Sequence, residues 1–388
     1  VSFLSPCGMT PSLPSFPTLG ILGGGQLGKM MAAAATRLGI HVRLLSPKTA
    51  GPMQPYADAH TGEWTAPEVL RAFAADCDVI TVESEWAPAA EVAAACDDAT
   101  VWPSPDTLAL IKDKGVQKQH LADAGCPVPD FACCETTDAA LDAAEDIGYP
   151  VVLKQFRGAY DGYGNATAES PEELRAAWPD LAAEDGLMVE QFMPFERELA
   201  VQVARRPSGD AVVYPVAYTE QRNHRCHAVE VPAPISDAVA ARAREIAEHA
   251  VDAVDGVGLT AVELFEMDDG SVWVNELAPR PHNTGHYSIE GAHTSQFENH
   301  VRAVLDLPLG DAGLCVPLAV MVNVIGRRKG NARVETLSEA LTVEKTRIHI
   351  YGKPDVRPGR KLGHVTAVGA DRTTVRTRAE EAAAALYL

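Results

Sequence analysis

The stretch from Val262 to His286, VELFEMDDGSVWVNELAPRPHNTGH, constrains the fold more tightly than any other part of the chain. Two runs rich in β-branched and aromatic residues, Ala261 to Glu266 and Ser271 to Leu277, flank the turn signal Asp268-Asp269-Gly270. That pattern reads as a β-hairpin. Asp269-Gly270 suits a two-residue turn, whose central positions both need positive φ. The turn pairs Asp268 with Ser271 and, counting outward, Glu263 with Glu276. Like charges directly opposed in a ladder destabilise it. A positive charge therefore belongs between them, and a hard divalent cation bound by carboxylate oxygens supplies one. The alternative is a slipped register that leaves both glutamates in solvent.

Composition narrows what else the chain can be. Its 388 residues, 46% of them hydrophobic, suffice for a substantial core and suggest two to four domains. A net charge of −20 argues against general affinity for nucleic acid or an anionic membrane. A polyanionic ligand must then meet a local basic cluster. The eight cysteines, Cys7, Cys77, Cys96, Cys126, Cys133, Cys134, Cys226 and Cys315, form no CxxC pair. Free thiols in a reducing cytoplasm are expected, without structural zinc. No apolar run reaches the length of a bilayer span. Residues 1–18 lack a basic n-region and an unbroken apolar core, so they read as a disordered lead rather than a signal peptide.

Order is expected from Leu19. A short apolar run enters a glycine turn, a helix follows from about Gln26 to Leu38, and a strand from Ile40 to Leu45 completes a βαβ opening. Gly23, Gly25 and Gly28 match GxGxxG in that context. Dinucleotide binding would want an acid at the end of the second strand, where the chain reads Leu45-Ser46-Pro47. The glycines are thus a tight turn for a different phosphate. A third strand, Asp78 to Trp86, carries Glu83 and Glu85 at its carboxyl end, where ligands gather in open α/β sheets. A solvated pair is the alternative. A helix from about Lys112 to Ala124 ends at Gly125, and a domain boundary is placed near Pro105.

Val151 to Gln155 reads as a buried strand bearing Lys154, followed by a loop containing Gly158, Gly162 and Gly164. A lysine beside a mobile glycine loop can cover phosphates, although the Walker A spacing is absent. Glu190 and Glu198 are unusual acids within the apolar segment LMVEQFMPFERELAVQVARR; Glu198 is either exposed or holds a ligand hydroxyl. Arg280, His282, Asn283 and His286 lie between prolines and a glycine, which excludes a regular helix and with it a His–His zinc face. A rigid loop offering hydrogen-bond donors to a polar substrate remains. The C-terminal segments MVNVIG and HIYGKPDVRPGRKLGHVTAVG alternate as short strands. Lys353, Arg357, Arg360 and Lys361 form the one basic cluster, or else an exposed charged turn.

Together the glycine loop after a lysine strand, the hinge VEQF, and the strands AVELF and VNELAPR resemble the ATP-grasp superfamily. The strings GGGQLGKM, YDGYG, NELAPRPHNTGHYSIEGAHTSQFENHVRAVLDLPLG and KPDVRPGRKLGH resemble, more narrowly, the N5-carboxyaminoimidazole ribonucleotide synthetase family of purine biosynthesis. The resemblance implies an α/β and α+β architecture. A Rossmann-like domain would span 19–105 and an ATP-grasp domain 106–312, with lobes 106–187 and 188–312. A β-rich domain would follow at 313–388.

It further implies ATP and Mg2+ as cofactors. Lys114, Lys154, the Gly158, Gly162 and Gly164 loop, Glu190, Gln191, Phe192, Met193 and Glu198 would hold ATP, with Glu263 and Glu276 on the metal. Gly25, Gln26, Glu83, Glu85, Tyr160, Asp161, His282, Asn283 and His286 would meet 5-aminoimidazole ribonucleotide, and Lys353 and Arg360 its phosphate. Lys154, Asp161 and Arg280 would be catalytic. Ala159 and Tyr163 depart from the family loop, which more often has glycine and a basic residue there.

The implied chemistry is attack of bicarbonate on ATP to give carboxyphosphate, then carboxylation of the exocyclic amine in a cytoplasmic homodimer. Rival readings are another ATP-grasp ligase, such as a ribonucleotide transformylase, a dinucleotide-dependent oxidoreductase, and a non-catalytic nucleotide-binding module.

Overall fold

The structure, a computed structural model, describes residues 16–47, 51–53, 55–96, 100–158, 164–182, 185–222, 225–331 and 336–387. Its first unit is a five-stranded parallel sheet in the order Asp58–Thr61, His41–Ser46, Thr18–Leu22, Val79–Val82, Thr100–Val101. Helices Gln26–Arg37, Pro67–Ala74 and Ala89–Ala95 make the crossovers. Parallel strands buried on both faces need continuous apolar runs, and Leu19, Ile21, Leu22, Leu44, Leu45, Ile80 and Val82 are all buried. The third strand is shorter than the sequence suggests, ending at Val82, so Glu83 and Glu85 lie in the loop beyond its carboxyl end. Of the lead expected over 1–18, residues 1–15 lie outside the described residues, and the first strand already begins at Thr18.

The helix expected from about Lys112 to Ala124 is Lys114–Asp123, and a separate helix, Pro105–Lys112, precedes it. Asp113 divides them because its side chain accepts from the backbone of Gly115 and Val116, starting a new helix as its N-cap. A small lobe follows, a four-stranded antiparallel sheet ordered Phe131–Cys134, Leu187–Gln191, Val151–Lys154, Asn165–Ala168. Helices Thr137–Ile147 and Pro171–Leu181 pack on it.

The large lobe is built on a nine-stranded antiparallel sheet. Strands Val272–Ala278, Gly258–Glu266, Arg197–Arg205, Ala217–Arg222 and Arg225–Val231 lead without interruption into Leu318–Ile325, Lys361–Gly369 and Thr346–Ile350. The C-terminal segment therefore shares its main sheet with the large lobe, while helix Arg372–Ala385 closes a core of its own around Val320, Val365 and Val375.

An apolar cluster and a buried histidine help seat the N-terminal unit on the large lobe. Met31 and Ala35 of helix Gln26–Arg37 join one apolar cluster with Phe297, Val301 and Val304 of helix Gln296–Val304. Buried His300 bridges the units: its Nδ1 accepts from Leu259 N at 3.0 Å, so its Nε2–H donates to Thr81 Oγ1 at 2.9 Å. Burial holds that imidazole down at about 3, and it stays neutral.

Candidate active site

Glu263 and Glu276 are direct partners across the hairpin. They arrive there by a route the sequence reading did not foresee. Met267 N donates to Ser271 O and Gly270 N to Met267 O, closing a three-residue turn over 268–270 with Gly270 at φ 79°. That turn shifts the pairing by one residue, so Leu264 faces Val274. A β-bulge at Asn275 shifts it back. Its consequence is directional. Val274 and Leu277 both enter the core that includes Val262 and Leu264, so the two residues between them, Asn275 and Glu276, turn to the opposite face with Glu263. Glu198 shares that face, since its neighbours Leu199 and Val201 are core and Ala200 pairs with Glu263.

Charge on this face is only partly matched. Lys114, the first residue of its helix, forms an ion pair with Glu276 Oε2. Burial alone would raise the Glu276 carboxyl, and Lys114 overrides it to hold it down. Glu263 has no such lysine. Burial, then Glu276 and Glu198, push its carboxyl up to about 8. His282 Nδ1 lies 3.6 Å from Glu263 Oε1, but burial, Arg280 and Lys361 lower that imidazole to about 3, so it is neutral and offers Glu263 no countercharge.

The small lobe contributes Lys154, whose ammonium pairs with Glu190 Oε1 and donates to Asn275 Oδ1 at 3.2 Å. Glu190, expected with Gln191, Phe192 and Met193 at the nucleotide, has its carboxylate buried between Lys154 and Lys118. Gln191 N donates to Asp130 O, Met193 is buried and Phe192 stands exposed at the lobe junction. Lys118 was missed by sequence reading. Burial lowers its ammonium to about 8 despite Glu190. A signal did exist, because Lys118 follows Lys114 by four positions and thus shares its helix face. Of the glycine loop, Gly158 (φ 84°) and Gly164 (φ 78°) flank it in left-handed conformations, while Ala159, Tyr160, Asp161, Gly162 and Tyr163 lie outside the described residues.

From the N-terminal unit, Glu85 grips Arg280 in a two-point ion pair, Nε to Oε2 at 2.5 Å and Nη2 to Oε1 at 2.8 Å. Burial would raise the Glu85 carboxyl, but Arg280 prevails and holds it at about 2. Glu83 instead caps helix Gln26–Arg37, accepting from Gly25 N and, at 2.9 Å, from Gly28 N. Gly23 must be glycine here, since it sits at φ 112° and a Cβ would fall 2.3 Å from Glu83 Cγ. Within this unit Glu83 thus occupies the backbone donors of Gly25 and Gly28, and Gln26, expected at the ribonucleotide, is the first residue of the helix.

Two members of the Arg280–His286 loop also prove internal. Asn283 and Asn323 exchange reciprocal amide hydrogen bonds at 2.9 and 2.7 Å. His286 is buried, with Nδ1 3.1 Å from Gln296 Nε2 and its ring 4.8 Å from that of His364. His282 lies beside Glu263, and both Arg280 and His282 act on Glu276. From the C-terminal segment, Lys353 Nζ donates to Lys361 O at 2.9 Å and contributes to the field at Glu83. Arg360 pairs with the Asp355 carboxylate and donates to Asp355 O at 3.1 Å. Lys361, a member of the basic cluster that sequence reading placed but did not assign to the site, acts on Glu263, His282 and His286.

The donor set fits a divalent cation bound with substrate phosphates rather than in a protein cage. No group of three or more His, Cys, Asp or Glu able to hold a metal occurs among the described residues. Mg2+ characteristically takes one or two carboxylates and fills its octahedron with waters and phosphate oxygens. The upward shift of Glu263 marks charge that the protein leaves unmatched.

A lysine-bearing small sheet, a larger antiparallel sheet presenting paired acids, and a parallel-sheet unit at their flank define an ATP-grasp protein. Family comparison agrees: residues 119–297 match the ATP-grasp domain, 16–112 the ribonucleotide synthetase preATP-grasp domain, and 319–378 the phosphoribosylaminoimidazole carboxylase C-terminal domain. The N5-carboxyaminoimidazole ribonucleotide synthase of Mycobacterium tuberculosis is 41% identical over 389 residues, covering 96% of this chain and 89% of its own. That of Synechococcus elongatus is 39% identical, covering 90% and 88%. The chain belongs to the N5-carboxyaminoimidazole ribonucleotide synthase family. Two solved structures from Aspergillus clavatus superpose with TM-score 0.88, one of the synthase complexed with ATP (33% identity, 96% and 98% coverage), the other with ADP and 5-aminoimidazole ribonucleotide (32%, 96% and 99%).

Proposed function

We propose that the chain is an ATP-dependent ligase of purine biosynthesis, carboxylating the exocyclic amine of 5-aminoimidazole ribonucleotide with bicarbonate as carbon source. The observation that carries this reading is the opposition of Glu263 and Glu276 beside Lys114 and Lys154, in a chain whose relatives bear that activity in their names. Magnesium, when held by Glu263 and Glu276, supplies positive charge to the polyphosphate. The protein's own share is positioning and charge. Lys154 faces the γ-phosphoryl group as a bicarbonate oxygen attacks phosphorus and ADP leaves, giving carboxyphosphate. The amine nitrogen then attacks the carboxyl carbon, phosphate departs, and the amine proton passes to a base, for which Asp161 is the proposed residue. Arg280, oriented by Glu85, stands beside the acceptor with His282, and Lys353 and Arg360 take its 5′-phosphate.

A dinucleotide-dependent reaction is disfavoured because Glu83 fills the glycine turn. The cytoplasmic reading is supported by the seven described cysteines, which are thiols rather than disulfides; homodimer formation rests on the family resemblance. The test is ADP formation with Mg2+ and bicarbonate, which 5-aminoimidazole ribonucleotide should stimulate strongly. Equal turnover with an unrelated amino acid acceptor would overturn the assignment.

A further inference from the structure

Lys118 has no role in the chemistry above, yet it occupies the junction of the lobes. Its side chain is 3% exposed, and its ammonium lies 2.8 Å from Glu190 Oε2. The same nitrogen donates to Asn275 O at 2.7 Å and to Val274 O at 3.4 Å. Lys154 reaches the same pair from the other side, at Glu190 Oε1 and Asn275 Oδ1. The contacts close a ring: Lys118, Glu190, Lys154, Asn275. That ring joins helix Lys114–Asp123, the small-lobe sheet and the large-lobe strand Val272–Ala278.

Two consequences follow from charge and geometry. One carboxylate between two ammonium groups leaves positive charge in excess, and a buried charge is strongly felt by whatever phosphate approaches it. Glu190 Oε2 is buried and has no regular hydrogen bond; Lys118 answers it by charge, off the favourable hydrogen-bond direction. Without Lys118 the carboxylate would be matched one to one by Lys154, cancelling the excess. At the same time Lys118 holds the main-chain carbonyl of the bulge residue, and that bulge turns Glu276 toward the cleft.

We infer that Lys118 is a positioning residue: it shares Glu190 with Lys154, leaving the Lys154 ammonium available to the polyphosphate of ATP, and it pins the Asn275 bulge between the lobes. The inference rests on the ATP-dependent reading above only for the identity of the nucleotide.

The test is equilibrium binding of Mg-ATP to the full chain, without bicarbonate or ribonucleotide, so that its outcome is separate from the identity of the acceptor. Lys118→Met keeps most of the buried stem and removes the charge. It should weaken ATP binding about tenfold to hundredfold, while the KM for 5-aminoimidazole ribonucleotide changes less than about threefold. The double variant Lys118→Met, Glu190→Gln removes the carboxylate that would capture Lys154, and should recover most of that affinity. Unaltered ATP binding in the single variant would overturn the inference, and a loss that Glu190→Gln does not repair at all would overturn the sharing of Glu190 with Lys154. So would a lowered Tm with normal ATP affinity, which would make Lys118 a structural residue only. Normal ATP behaviour without stimulation by the ribonucleotide would instead count against the proposed reaction and leave this inference standing.

Discussion

Glu263→Gln isolates the unmatched charge at the paired acids. Glu276 is the poorer position for this purpose, because its charge is already matched by Lys114 and its loss would strand a lysine. Glu263 is held at about 8, against an ordinary value of 4.5. Below 4.5 both folded and unfolded chains carry the proton and the site costs nothing. Between 4.5 and 8 the unfolded chain ionises first, so the native state loses stability as pH rises, and the full penalty applies above 8. At ~1.4 kcal/mol per pH unit the ceiling is on the order of 5 kcal/mol. The side chain is 29% exposed in the cleft, and solvent screening reduces the expected effect to about 1–2 kcal/mol.

Thermal unfolding of the ligand-free protein should therefore show wild type and Glu263→Gln nearly equal at pH 5. By pH 9 the variant should lead by a Tm gain of about 2–4 °C. With Mg-ATP present the order should reverse, as wild type alone gains the full bound-state stabilisation, and turnover by the variant should be close to zero. A variant gain that is the same at pH 5 and pH 9, or a loss at both, would refute the idea that Glu263 carries uncompensated charge.

Arg280→Met should leave Glu85 buried without its partner and lower stability at pH 7 by about 3 kcal/mol. Because Glu85 is held at about 2 in the native state, that deficit should shrink as pH falls from 4.5 toward 2, which denaturant titrations at pH 7 and pH 3 would reveal; a pH-independent deficit would mean lost packing rather than lost charge pairing. Arg360→Ala should raise the KM for 5-aminoimidazole ribonucleotide about tenfold to hundredfold and spare the KM for ATP. If neither KM moves in steady-state assays, the guanidinium serves only its ion pair with Asp355.

Local chemistry accounts for what could be read from the chain. The βαβ opening, the lysine strand and the acidic hairpin all follow from periodicity and turn residues, which act over a few positions. Even the Glu263–Glu276 pairing was legible, though through an assumed two-residue turn; the real turn has three, and the Asn275 bulge restores the register. No local preference announces that bulge. It is held by Lys118 and Lys154 from other elements, and by Pro127 O, which accepts from Val274 N at 2.7 Å.

The same division runs through the rest of the site. Sequence identified which polar residues were unusual, because charged and amide side chains in apolar surroundings demand partners. Which partner each one takes depends on contacts between segments far apart in the chain. Glu83 caps the helix behind Gly25, Glu85 pairs with Arg280, Glu190 lies between two lysines, and Asn283 turns inward to Asn323. A buried polar group is stabilised only by a partner at bonding distance, and such distances between remote residues are decided when the sheets and helices pack.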